Sequence, residues 1–176
     1  ESSDITEILE LAQNGEIKET QNGSLQSVDF LKIYSESIIN KIVTETNNKN
    51  PLKGFKIAVD AGNGVGGFYA EILKKLGADI SGSVFLEPDG MFPNHVPNPE
   101  DKKAMEAISK AVIQSKSDLG IIFDTDVDRA AIVDSEGREI NKNRLIALIS
   151  AILLKDKKGT IVTDSVTSAG LKEFIE

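Results

Sequence analysis

The sequence predicts an α/β fold: a three-layer, doubly wound, mostly parallel sheet with helices on both faces. Two observations predict it. Short apolar runs bounded by glycine or proline alternate with longer stretches whose apolar residues recur at three- and four-residue steps, and one strand meets its helix through a glycine-rich turn. The chain has 176 residues, 40% of them hydrophobic, enough for one core of ordinary size and too few for a large multidomain enzyme.

The elements follow in order. Ile5, Ile8, Leu9 and Ala12 recur at helical spacing and predict a short helix over Ser3 to Ala12, with Asn14-Gly15 to stop it. Polar residues from Lys18 to Ser27 read as a loop. Leu31, Tyr34, Ile38 and Ile42 share one helical face and predict a second helix, followed by an Asn/Lys-rich linker from Thr44 to Pro51. A domain is expected to begin near Lys53. There Phe55 to Val59 reads as a strand running into Asp60-Ala61-Gly62-Asn63-Gly64, and Phe68 to Leu76 as an amphipathic helix ended by Gly77.

Ile80 to Leu86 predicts another strand. The next segment, Glu87 to Glu100, holds four of the five prolines and cannot be regular structure. Helix resumes at Asp101 with Ala104, Ile108, Ala111 and Val112 as its buried stripe. Leu119 to Phe123 predicts a strand, Asp124 to Arg129 a polar loop, Ala130 to Val133 a strand, Ser135-Glu136-Gly137 a turn and Asn143 to Leu154 a helix. Thr160 to Thr163 reads as one more strand and Ser168 to Ile175 as the start of another helix. Neither has a later partner in the sequence, so a piece of a longer chain is expected.

Composition narrows the chemistry. With 28 acidic against 20 basic residues the formal charge is -8, which repels phosphate backbones and argues against a nucleic-acid partner. The longest strongly apolar stretch, Leu145 to Leu154, has ten residues, half of the roughly 20 needed to cross a bilayer, so no membrane span is expected. The opening Glu1-Ser2-Ser3-Asp4 lacks a basic n-region, so no signal peptide is read. There is no cysteine, which excludes disulfides, thiol catalysis and thiolate metal sites, and His95 is the single histidine. What remains is the chemistry of carboxylates, Lys/Arg, hydroxyls and backbone groups.

The sharpest feature is Asp124-Thr125-Asp126-Val127-Asp128-Arg129 directly after a strand. On an extended strand acids two apart would be separated by about 6.6 Å, and on a helix they would diverge, so only a tight loop brings all three together. Once together, like charges about 4 Å apart repel by on the order of 4 kcal/mol per pair at an effective dielectric near 20, which calls for a cation or for protons. Oxygen-only donors select a hard ion such as Mg²⁺. An acidic surface loop is the plain alternative. An EF-hand fails, because Arg129 and Ser135 stand where Gly and a bidentate acid are required. A phosphoaspartyl nucleophile at Asp124 fits locally but leaves Asp128 and Arg129 unexplained. Arg129 adds a planar cationic fork suited to phosphate oxygens, or forms an ordinary salt bridge.

Gly62, Gly64 and Gly67 also fit G-x-G-x-x-G, with Glu87 near the end of the next predicted strand. Asp60 at the mouth of that loop opposes a pyrophosphate, and the glycines equally serve a tight turn with no ligand. His95, with no evident acid partner, is assigned no role and is expected to be exposed or a structural hydrogen bonder. Phe92, Pro93 and Pro97 are expected to pack the proline-rich loop against the sheet edge.

Three motifs in order, Phe55-Lys56-Ile57-Ala58-Val59-Asp60-Ala61-Gly62-Asn63-Gly64-Val65-Gly66-Gly67, then Glu87-Pro88-Asp89-Gly90-Met91-Phe92-Pro93-Asn94-His95-Val96-Pro97-Asn98-Pro99, then Asp124 to Arg129, resemble the α-D-phosphohexomutases, the phosphoglucomutase/phosphomannomutase family. The likeness covers about Lys53 to Thr163 and resembles the second, metal-binding domain of a longer enzyme. It implies that residues 1–50 are a helical tail of a preceding domain and a linker, 51–158 the metal-binding α/β domain, and 159–176 the start of a following domain. It further implies a cytoplasmic isomerase that moves phosphate between the 1- and 6-positions of a hexose through an active-site phosphoserine. Asp124, Asp126 and Asp128 would hold Mg²⁺, which takes a phosphoserine oxygen as a further ligand. Arg129 would help neutralise the phosphate, and the partners would be a phosphosugar and the other domains of the parent chain. The family's Ser-His-Asn-Pro-type motif is missing, since the only His follows Asn94, and Thr125 stands where many members have Gly. The chain alone is therefore expected to be inactive. A stand-alone binding module and a phosphoaspartyl phosphatase or mutase remain the alternatives.

Overall fold

The computed structural model describes residues 2–15, 23–155, 158–165 and 167–175. They fall into two compact units, 1–30 and 31–176. The first holds helix α1 (Ser2–Asn14), whose end is closed by the Gly15 N–H donating to the Leu11 carbonyl at 2.9 Å. Its apolar stripe, Ile5, Ile8 and Leu9, is exposed. Of the loop expected between Lys18 and Ser27, residues 18–22 lie outside the described residues, and 23–29 carry no regular structure.

The second unit is built on a sheet in the order β1 (Ile57–Asp60), β2 (Leu119–Phe123), β3 (Ala130–Asp134). β1 and β2 run parallel, with Ala58 opposite Gly120 and Asp60 opposite Ile122, and β2 and β3 run antiparallel. Because successive strand residues point to opposite faces, the sheet has two cores. Ala58, Ile122, Ala131 and Val133 pack on one face against Ala104, Ile108 and Val112 of helix α4 (Lys102–Ser115). Val59, Ile121 and Phe123 pack on the other against Tyr69, Ala70 and Leu73 of helix α3 (Phe68–Lys75). Helices on both faces are what the alternating pattern predicted. Each fully buried Val or Ile contributes about 1.5–3 kcal/mol, so these faces account for the sheet's placement.

The helix boundaries have local causes. Asp101 caps α4 by accepting from the Lys103 and Ala104 N–H groups, and Lys116 in the left-handed region (φ 55°) ends it. Asn141 caps helix α5 (Lys142–Leu154) in the same way, accepting from Asn143 and Arg144. Helix α2 (Phe30–Thr46) takes in the first three residues of the predicted linker, Thr44 to Thr46. Its Tyr34 hydroxyl lies 3.1 Å from that of Tyr69, which begins an aromatic series from Tyr34 through Phe68 and Tyr69 to Phe123. Burial first, and then the hydrogen bond with Tyr34, push the Tyr69 hydroxyl up to about 12.

Two predicted strands are not strands. Ile80 to Leu86 runs beside β1 but joins it only through parallel bridges at Asp79 and Val84. The turn closed by the Ser83 N–H on the Ile80 carbonyl (2.9 Å) breaks the ladder between them, and the Val59 N–H donates instead to the Ser83 hydroxyl at 3.0 Å. A side-chain oxygen thus does the work of a missing carbonyl. Thr160 to Thr163 is irregular, with Val162 88% exposed, because a strand forms only where a neighbour completes its hydrogen bonds. Helix α6 (Ala169–Ile175) forms as predicted and packs on α5, burying Leu171.

Candidate metal centre

Asp60 ends β1, and Asp124 follows β2 at once, so the carboxyl ends of two neighbouring parallel strands each deliver an acid. Ligands of doubly wound sheets bind at this end. The loop after β2 is closed on itself: the Asp124 N–H donates to the Arg129 carbonyl at 3.1 Å, and the Arg129 N–H donates back to Asp124 Oδ1 at 3.0 Å. Between them Val127 takes the left-handed conformation, φ 69°, which costs a β-branched residue on the order of 1–3 kcal/mol. Its side chain packs against the Val59/Phe123 core, which offsets that strain.

The sharp reversal turns three alternate aspartates to one side. Asp124, Asp126 and Asp128 each offer a carboxylate oxygen, and these oxygens lie within 4.8 Å of one another. Among the described residues this is the one group of three such side chains that could hold a metal ion. Asp124 is 2% exposed, whereas Asp126 and Asp128 face solvent. Burial would raise Asp124, but hydrogen bonding with Asp128 and with the Arg129 backbone and side chain outweighs it and holds the carboxyl below the ordinary range. The same hydrogen bond to Asp124, with burial and the charges of Asp124 and Asp126, pushes Asp128 up against the opposing pull of Arg129. The carboxylates of the loop repel one another, and a cation would relieve that repulsion.

Arg129 Nε donates to Asp124 Oδ2 at 3.1 Å and lies 3.5 Å from Asp128 Oδ1, while Nη1 donates to Asn98 Oδ1 at 3.3 Å. The side chain is half-exposed, so one edge of the cationic fork still faces solvent.

The glycine motif supports the acidic loop from behind. A Cβ on Gly64 would lie 2.7 Å from the Thr125 carbonyl oxygen, and the Val65 N–H donates to that same oxygen at 2.9 Å. A Cβ on Gly62, whose φ is +52°, would lie 2.9 Å from both His95 Cε1 and Pro97 Cβ. Each glycine is filled by protein, which is the turn reading. The dinucleotide reading has no space left.

His95 takes the second of its two expected places, a structural hydrogen bonder, and what the structure corrects is the absence of an acid partner. It is 7% exposed and has an acid partner: Nε2 lies 3.1 Å from both oxygens of the fully buried Asp60, and Nδ1 lies 2.9 Å from the Val96 carbonyl. A carbonyl only accepts, so Nδ1 is the donor in that bond, and Nε2 faces the Asp60 carboxyl. Asp60 is pushed up by burial, against the charge and hydrogen bond of His95 and the Gly62 N–H that donates to Oδ1 at 2.8 Å. Sequence reasoning missed this pair because 35 residues separate its members. The available signal was the alternation of His95, Pro97 and Pro99, all three buried. Pro97 packs inward as expected, but Pro93 is exposed.

Fold and site together define a doubly wound α/β domain with a cation-ready acidic loop at the carboxyl ends of its strands. The profile described as "Phosphoglucomutase/phosphomannomutase, alpha/beta/alpha domain II" matches residues 32–137, more than half of the chain. The chain is 32% identical over 169 residues to a phosphoglucomutase of Neisseria meningitidis serogroup A, covering 95% of this chain and 35% of that protein. To a protein of Xanthomonas campestris pv. campestris named phosphohexose mutases it is 37% identical over 130 residues, covering 73% and 29%. The crystal structure of a phosphoglucomutase/phosphomannomutase family protein from Burkholderia thailandensis superposes with a TM-score of 0.78 at 28% identity, covering 98% of this chain and 36% of that one. The chain belongs to the phosphoglucomutase/phosphomannomutase family. It spans about a third of the length of the curated relatives it matches. No helix among the described residues is long and apolar enough to cross a membrane.

Proposed function

We propose that this chain is the metal-binding domain, residues 51–158, of a cytoplasmic phosphohexomutase that interconverts hexose 1-phosphate and hexose 6-phosphate by phosphoryl transfer through a serine carried elsewhere in the longer protein. The observation that carries the reading is the convergence of Asp124, Asp126 and Asp128, with Arg129 beside them, in the loop after β2. Three hard oxygen donors suit Mg²⁺, whose adjacent ligands stand about 2.9 Å apart on an octahedron of 2.0–2.1 Å radius. The present spacing, up to 4.8 Å, meets that with a contraction of about 2 Å or less, and two of the three acids are exposed and free to make it.

When bound there, Mg²⁺ would balance negative charge on a phosphoryl group. The chain's own residues do the rest. Asp124 is fixed by two Arg129 donors yet keeps further lone pairs for a cation. Arg129 presents the solvent edge of its guanidinium to phosphate oxygens that the acids alone would repel. In a phosphoryl transfer dominated by positioning and charge balance, these are the contributions a metal domain makes. An Asp124 nucleophile is disfavoured, because its carboxylate is buried and both oxygens already accept from Arg129. The chain lacks a Ser-His sequence, and on this reading it does not turn over substrate alone.

Titration of Mg²⁺ into this chain and into Asp126→Asn tests the reading. Weak binding is expected for the wild type and none for the variant, and the same substitution should abolish mutase activity in the longer protein. A longer protein that stays fully active with Asp126→Asn overturns the metal assignment.

A further inference from the structure

We infer that Asn98 is a positioning residue for Arg129, held in place by the buried Asp60–His95 pair, so that the end of β1 sets the direction of the guanidinium beyond β2. The inference deepens the phosphate-handling role proposed for Arg129 and rests on it.

A half-exposed arginine has several rotamers, and the Asp124 contact alone fixes only Nε. The second point is Asn98 Oδ1, which accepts from Nη1 at 3.3 Å. Two points on a planar fork define its plane and its free edge. Among the described residues none hydrogen-bonds to Nη2, the edge so defined.

Asn98 is itself over-determined. Its Oδ1 also accepts the Glu100 N–H at 3.0 Å, which settles which end of the amide faces Arg129. Its N–H donates to the Val96 carbonyl at 2.8 Å, and its carbonyl accepts from Asp101 at 2.9 Å. Buried Pro97 and Pro99 flank it, and each locks its own φ. Two residues before Pro97, His95 is tied to Asp60, and His95 and Pro97 sit so close to Gly62 that a Cβ there would meet both at 2.9 Å. The proline-rich loop thus transmits a fixed position from one strand end to the other.

The chain contains only three arginines, Arg129, Arg138 and Arg144, so their Nε–H signals can be resolved by ¹H–¹⁵N NMR. Hydrogen exchange at Arg129 Nε–H should quicken about tenfold in Asn98→Ala. It should stay within about twofold of wild type in Asn98→Asp, which keeps the acceptor, and Arg138, paired with Asp134, should be unchanged in both. Unchanged exchange at Arg129 in Asn98→Ala overturns the inference, as does equal loss in Asn98→Asp. In the longer protein, Asn98→Ala should lower kcat/KM about tenfold, with no further loss when added to Arg129→Ala. Full additivity of the two overturns the positioning role. If Arg129→Ala alone leaves activity intact, the phosphate-handling reading fails while the exchange data still decide whether Asn98 orders Arg129.

Discussion

Asp60 ends β1 and Asp124 stands just past the end of β2, two residues beyond the level of Asp60, at the carboxyl ends of adjacent parallel strands, and both expose almost no surface. Their environments have opposite effects. Asp60 faces a histidine and the glycine turn, and burial dominates, so its carboxyl is raised. Asp124 faces a backbone N–H, a guanidinium and a second carboxyl, and although burial is again the largest single influence, its hydrogen bonds together outweigh it, so it is lowered. The first acid is sealed inside the protein and holds a loop in place. The second borders solvent through Asp126 and Asp128 and stays charged for a ligand. What separates structure from chemistry here is depth together with the set of donors each acid meets: Asp60 lies deep in the protein, Asp124 just beneath its surface.

The largest expected effect breaks the structural member. His95→Ala leaves Asp60 buried without its partner and should lower the unfolding free energy by about 3–5 kcal/mol, read as a shift in urea midpoint. A loss under about 1 kcal/mol would mean that the pair does not hold the loop. Next comes the chemical member. Asp124→Asn keeps the shape but surrenders the charge that Arg129 Nε and N–H address, and should cost about 1.5–3 kcal/mol. Asp126→Asn, exposed and outside those bonds, should leave the midpoint unmoved. Equal costs for the two would erase the distinction between buried anchor and open ligand.

The smallest effect is in pH. A raised acid favours the folded state when protonated, so the Asp60 contribution is fully present below about 3.8 and is lost as pH rises through its raised folded value. Asp79 and Asp134, lowered chiefly by hydrogen bonds from Ser81 and Arg138, do the reverse. Their contribution is present above 3.8 and is lost as pH falls through their lowered values. Wild type should therefore gain stability relative to Asp60→Asn as pH is lowered from 7 toward 3.8 in equilibrium denaturation. A wild type that loses ground to the variant over that range would show that Asp60 is not raised.

Much of this could be read from the chain before its coordinates. Helix α4 was legible from Ala104, Ile108, Ala111 and Val112, all buried, because a 3.6-residue period survives in a list of letters. β2 was legible for the corresponding reason. The edge segment 80–86 misled, because its apolar content resembles a strand while the turn at Ile80 to Ser83 depends on how it meets β1. The three aspartates were legible as a group. Their convergence was not, since it requires Val127 in a conformation more typical of glycine.

The sequence by itself determined the local quantities: which residues alternate, which stretches are amphipathic, where proline forbids regular structure, and that the chemistry here is that of oxygen donors and one cationic fork. Tertiary structure alone decided which charges meet. His95 with Asp60 and Asn98 with Arg129 are separated by 35 and 31 residues, and a contact over that distance is created only when both sheet faces are packed. Periodicity is a property of neighbours along the chain, whereas pairing is a property of neighbours in space.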